Sequence, residues 1–89
     1  MLIALIGRDK PGALQTRLDN RDAHVAYLKN SGAVAQAGPL MDAAGQMCGS
    51  LVVLDVADMA AAEDWVAHDP YGKAGLFETV ELIHWNKVI

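Results

Sequence analysis

The sequence predicts an α+β domain in which four strands and two helices follow the order β-α-β-β-α-β. The strands form one antiparallel sheet and both helices cover the same face. Three observations carry that prediction. Apolar runs with strand character stand at the start, in the middle and near the end of the chain. Two stretches between them have helical spacing. At 89 residues the chain holds one domain, residues 1–89, at the small end of what folds alone.

The first run, "LIALIG" at residues 2–7, is short, apolar and ended by glycine, as in a buried strand. "RDKPG" breaks it with charge, proline and glycine. From Ala13 to about Asn30 the spacing is helical, with Leu14 and Leu18 four apart. Asn20 is expected to cap a second piece of this helix, and Gly32 to end it in a left-handed conformation. Residues 33–41, "AVAQAGPLM", alternate loosely and contain Gly38-Pro39. Proline donates nothing to a sheet ladder, so this strand belongs at an edge or carries a bulge. "DAAGQ" is a turn, and "MCGSLVVLDV" at residues 47–56 reads as a central strand completing a hairpin. Asp58 caps the helix "MAAAEDWVAH", where Ala61, Ala62 and Trp65 give a packing face. Pro70 stops it. "FETVELIHW", residues 77–85, alternates, with Phe77, Thr79, Glu81, Ile83 and Trp85 on one side.

This order is the ferredoxin-like split βαβ arrangement. It leaves one sheet face bare, yet the third strand is nearly all apolar and the fourth has apolar residues on both sides. A large bare apolar face is ordinarily covered. The expected cover is a second copy packed sheet against sheet, giving a homodimer. The hydrophobic fraction of 53% is high for so small a domain and agrees with self-association.

Composition narrows the partners. The net charge is −4 and the seven lysines and arginines are scattered, so no basic patch is offered to nucleic acid. No apolar run approaches the ~20 residues of a membrane span. The apolar start lacks the charged region and cleavage site of a signal peptide. The single cysteine, Cys48, excludes an internal disulfide framework and fits a reducing cytoplasm. It reads as a small buried hydrophobe rather than a nucleophile.

Few polar residues point to chemistry. His24 falls one turn before Leu28, beside the core side of the first helix. A histidine there is more commonly a structural partner than a catalyst, but imidazole also suits general acid or base work near neutral pH. Asp69 follows the last turn of the second helix, where the helix dipole disfavours a carboxylate. Pairing with an imidazole, which it would orient, is a reason for it to be there. His68 is the neighbour in sequence, but adjacent residues diverge on a helix. His84 sits on a strand and fits an interface. No histidine pair has metal-ligand spacing and no cysteine cluster assists, so no metal is expected. Ser50 follows Gly49 without the G-x-S-x-G of a nucleophile elbow. Gly38-Pro39 leaves backbone open to a ligand. Arg8, Arg17 and Arg21 have the geometry to hold a carboxylate, although on a helix such side chains are usually solvated.

Taken together, "RDKPGALQTRLDNRDAHVAYL", "AGPL", "GSLVVLDV" and "HDPYGKAGLFETVELIHW" resemble the YCII-related domain family, from Leu2 to Trp85. The R-x-x-H-x-x-Y-L, G-P-L and D-P-Y-x-K-A-G-L-F segments are specific as a set. The resemblance implies a ferredoxin-like subunit of a dimeric α+β barrel, with a histidine and an aspartate in the active site. On this chain those are His24 and Asp69. The family often has proline where this chain has Asp22, which places a carboxylate two residues from His24. Relatives with this barrel architecture include isomerases, lyases and monooxygenases acting on small, often aromatic, molecules, many without a tightly held cofactor. The resemblance therefore implies a cofactor-independent enzyme for elimination or isomerisation of a small organic substrate. His24 and Asp69 would be catalytic, Arg17, Gly38, Pro39 and Ser50 would bind the substrate, and Tyr71 would cover it. A ligand-binding or regulatory module, and a dimer in which His24 and Asp69 serve only the fold, are the competing readings.

Overall fold

The computed structural model describes all 89 residues. Its elements are β1 (Leu2–Asp9), α1 (Leu14–Asn30), β2 (Val34–Met41), β3 (Met47–Asp55), α2 (Met59–His68), α3 (Pro70–Lys73) and β4 (Phe77–His84). The sheet order is β2-β3-β1-β4 and every neighbouring pair is antiparallel. This is the ferredoxin-like α+β fold expected from the sequence, with one further short helix, α3.

Alternation along β1 and β3 builds the core. Ile3, Leu5, Val52 and Leu54 point to the helix layer and are buried against Ala62 and Trp65 of α2. Tyr27 and Leu28 of α1 pack on the same cluster. The α2 helix starts where Asp58 Oδ1 accepts a hydrogen bond from the Ala61 amide at 2.8 Å, a carboxylate cap that also suits the helix dipole. Met59–His68 matches the segment read from the sequence. Proline-bearing β2 lies at a sheet edge, where the missing donor of Pro39 costs no ladder bond.

Two local expectations are corrected. The first helix is one continuous rod, because Asn20 caps nothing: its side chain donates to the Thr16 carbonyl at 2.8 Å within the helix. Phe77 does not share a face with Thr79 and Glu81. Asp9 pairs with Phe77 and Arg8 with Thr79, so the ladder slips by one residue at this point. The slip turns the Phe77 ring over Gly7, where any Cβ would strike it. Its ring also meets Tyr71 of α3 edge-on at 6.1 Å. A bulge of this kind re-aims a side chain, here into the layer that holds the site.

The opposite sheet face carries no helix. Leu51 of β3 and Ile83 of β4 are 40% and 50% exposed on it, in register with Ile6 and Ala4 of β1. No helix is long and apolar enough to cross a membrane.

Candidate active site

The fully buried residues of α1 are Arg17 and His24, not its leucines. A helix that buries an arginine and a histidine must supply partners for both, since unpaired buried polar groups are costly. The structure supplies them from three other elements.

Arg17 reaches the end of β1. Its Nε and Nη2 donate to the two carboxylate oxygens of Asp9 at 2.7 and 2.9 Å, and Nη2 also donates to Ser50 Oγ at 2.9 Å. This is a two-pronged pair between side chains only 2% and 6% exposed. Burial works against the guanidinium charge, but the hydrogen bond and charge of Asp9 prevail and hold Arg17 protonated above its ordinary range. Ser50 is brought close by Gly49, at which a side chain would overlap the Gly7 carbonyl oxygen. The strand pair β1–β3 approaches that tightly only with glycine there.

His24 reaches the turn between α2 and α3. Its Nδ1 lies 2.7 Å from Asp69 Oδ1, and both side chains are buried. Asp69 leaves α2 with ψ 127 and caps α3, accepting from the Tyr71 amide at 3.1 Å. The aspartate is thus both the last residue capping α2 and the start of a new turn, and at that start a carboxylate is favoured. Asp followed by Pro at the first helical position is the sequence signal for that turn. An ionised carboxylate only accepts hydrogen bonds. Asp69 thus fixes the proton of neutral His24 on Nδ1 and leaves the lone pair on Nε2. No buried side-chain nitrogen or oxygen lacks a partner. Nε2, which makes no protein hydrogen bond, is therefore the ring atom open to a ligand.

Tyr71 joins the two pairs. Its ring stacks on the His24 imidazole, with centroids 3.8 Å apart and planes 14° apart, and the Arg17 guanidinium carbon lies 4.6 Å from its centroid. It is 1% exposed, so it forms a wall behind His24 instead of a cover over the site. Burial pushes the Tyr71 phenol above its ordinary value, against the pull of Arg17 and Arg21 and with some help from Asp69. The unfolded chain loses a tyrosine proton near pH ~10, before folded Tyr71 does. The stability Tyr71 contributes is complete below that pH and declines as pH rises toward the higher folded value. Denaturation midpoints are expected to fall more steeply above pH ~10 in the native protein than in Tyr71→Phe; parallel curves refute this.

A cavity of about 230 Å³ opens between α1 and the β2–β3 hairpin. Arg17, His24, Gly38, Pro39, Ser50 and Tyr71 line it, and Asp69 stands behind His24. Val25, Leu28 and Val52 supply apolar wall, and Arg21 also borders it. The other candidates lie elsewhere. His68 bonds the Asp64 carbonyl on the exposed side of α2, and His84 and Arg8 are exposed and do not line this cavity. Cys48, expected to be buried, is exposed near the start of β3 and is also outside it. No three His, Cys, Asp or Glu side chains converge. One participant had no sequence signal of its own. Asp9 came into view only when α1 laid Arg17 across the end of β1. Tyr27 proves to be a brace: its hydroxyl donates to the Trp65 carbonyl at 2.7 Å, tying α1 to α2.

Known proteins resemble this chain over nearly its whole length. A family model for the YCII-related domain matches residues 1–86. Protein YciI of Escherichia coli O6:H1 is 34% identical, with 99% of each chain covered. An uncharacterized protein of Haemophilus influenzae is 32% identical over the same shares. Among solved structures, 5-chloro-2-hydroxyhydroquinone dehydrochlorinase (TftG) from Burkholderia phenoliruptrix AC1100, in complex with 2,5-dihydroxybenzoquinone, superposes with a TM-score of 0.90. It is 33% identical, covering 97% of this chain and 94% of that one. A putative antibiotic biosynthesis monooxygenase from Bacteroides thetaiotaomicron shares the fold alone, at TM-score 0.63 and 16% identity over 100% of this chain and 90% of that one. With the family match spanning nearly every residue and full-length relatives at a third identity, this chain belongs to the YCII-related domain family.

Proposed function

We propose that the protein is a small acid–base enzyme, working without a bound cofactor, that eliminates from or isomerises a small flat hydroxylated or quinoid molecule. The observation that carries this reading is the His24–Asp69 contact, which leaves Nε2 as the open ring atom beside a cavity of about 230 Å³. An apolar cavity of ~150 Å³ takes up benzene, so this one has room for a ring with several substituents. Nε2 takes a proton from an acidic carbon or hydroxyl of the substrate. The electron pair left behind becomes a new double bond and, in an elimination, the leaving group departs with its own pair. The imidazolium is held against the Asp69 carboxylate and then gives the proton back to another atom of the substrate in an isomerisation, or to water in an elimination. Tyr71 fixes the ring plane by stacking, and Gly38-Pro39 gives a low wall over which a planar body can slide.

The TftG match favours this substrate class, because that enzyme removes chloride from a hydroxylated aromatic ring and its complex holds a quinone. The test is chloride release and product analysis with 5-chloro-2-hydroxyhydroquinone and a panel of halogenated quinols, measured anaerobically against a protein-free blank. If every ligand that binds is recovered unchanged, the protein is a binding module and the enzyme reading fails.

The active form is proposed to be a homodimer closed through the open sheet face, which would cover Leu51 and Ile83. Sedimentation at micromolar concentration is expected to give twice the mass of one chain; a monomer there rules this out.

A further inference from the structure

Positions 17, 21 and 24 share one face of α1, and all three side chains line the same cavity. Their charges are handled differently. Arg17 is neutralised by Asp9. The charge of Asp69 is directed at His24 and the Tyr71 amide, behind the cavity. Arg21 has no such partner. It joins no ion pair and makes no side-chain hydrogen bond, although Asp22 is its neighbour. It is exposed and borders both this cavity and the outer cleft beyond it, so it stands at the rim. No aspartate or glutamate lines the cavity. In a chain of net charge −4, the cavity thus holds one uncompensated cation, carried about one helical turn before His24 on α1.

We infer that Arg21 anchors a single anionic group, a carboxylate or an ionised phenol or enol, on the flat substrate of this site. The inference deepens the acid–base reading by naming the charge its substrate carries. The planar body lies among Val25, Leu28 and Val52, and the anion faces the rim. A guanidinium suits this task because its fork matches a carboxylate and stays charged at any working pH. Holding the anion at Arg21 also keeps negative charge away from Asp69, where it would repel. A neutral ring of the same shape would fill the cavity but leave Arg21 unpaired.

The test compares benzoate with benzamide, which share a ring and differ in charge, by calorimetric titration of the native protein, Arg21→Met and Arg21→Lys. Native protein is expected to bind benzoate at least tenfold more tightly than benzamide. Arg21→Met is expected to weaken benzoate about tenfold, the order of one contact to a charged group, with benzamide changed by less than about threefold. Arg21→Lys should recover part of the loss, and salt should weaken benzoate but not benzamide. Equal affinities for the two probes, absence of benzoate binding at millimolar concentration, or an unchanged benzoate affinity in Arg21→Met each overturn the inference. Binding is read without turnover, so the two proposals fail separately. An unaltered turnover in His24→Gln would sink the acid–base reading while leaving the anchor intact.

Discussion

Replacing His24 with glutamine is expected to lower kcat/KM by about 100- to 10,000-fold, the contribution of a positioned general acid–base group. The variant should remain folded, since glutamine can still donate to Asp69 Oδ1, the atom 2.7 Å from Nδ1 in the native site. Stopped-time chloride release on a quinol that the native protein turns over measures the loss, and circular dichroism checks the fold. Asp69→Asn is expected to lower the rate as well, because an amide can donate where the carboxylate only accepts, and so no longer fixes the proton on Nδ1. The two changes act on one unit. The double variant should therefore lose little more than His24→Gln alone. Full activity in His24→Gln, or losses that simply multiply, would remove the pair from the mechanism.

The largest effect on stability is expected from Arg17→Met. Removing one partner of a buried ion pair leaves the other charge stranded, at a cost of about 3–5 kcal/mol. Asp9 would be that charge, with both its oxygens held at present by Arg17. Ser50 would lose its only side-chain partner, and the Tyr71 ring would lose the cation beside it. For a domain this small each kcal/mol shifts the melting temperature by roughly 4–8 °C, so a fall of more than about 12 °C is expected. Adding Asp9→Asn to Arg17→Met removes the stranded charge and should restore part of the loss. A chemical unfolding free energy for Arg17→Met within about 1 kcal/mol of the native value would show that the pair lies in a wetter place than its 2% and 6% exposures indicate.

Much of the fold was legible because local chemistry and global packing agree. The α2 boundaries follow from Asp58 as cap and Pro70 as stop. Gly32 ends α1 with φ 70, as its position suggested. The edge placement of β2 follows from a missing proline donor. What escaped was the product of contacts between distant segments. The ladder slip at Arg8 and Asp9 has no periodic trace in the sequence, and it decides the face of Phe77. Asn20 resembled a cap, but a polar side chain can equally bond back along a helix, and continuous packing of α1 selects that option. The sequence around Asp69 shows the unfavourable dipole of α2 but not the short α3 that follows it and whose start it caps.

The site divides along the same line. The residue types were readable: one histidine and one aspartate carried by specific motifs, three arginines, a Gly-Pro wall and a tyrosine after proline. Sequence alone also determined the order of the four strands and the two long helices, and with it the bare sheet face, since strand alternation and helix capping are local properties. Only the tertiary structure decided which groups meet. His24 and Asp69 are 45 residues apart in the chain and 2.7 Å apart in space. Arg17 finds Asp9 and Ser50, and so leaves Arg21 as the unpaired cation at the rim. Pairing of charges depends on distance and burial through the folded layers, and neither quantity is written in local spacing.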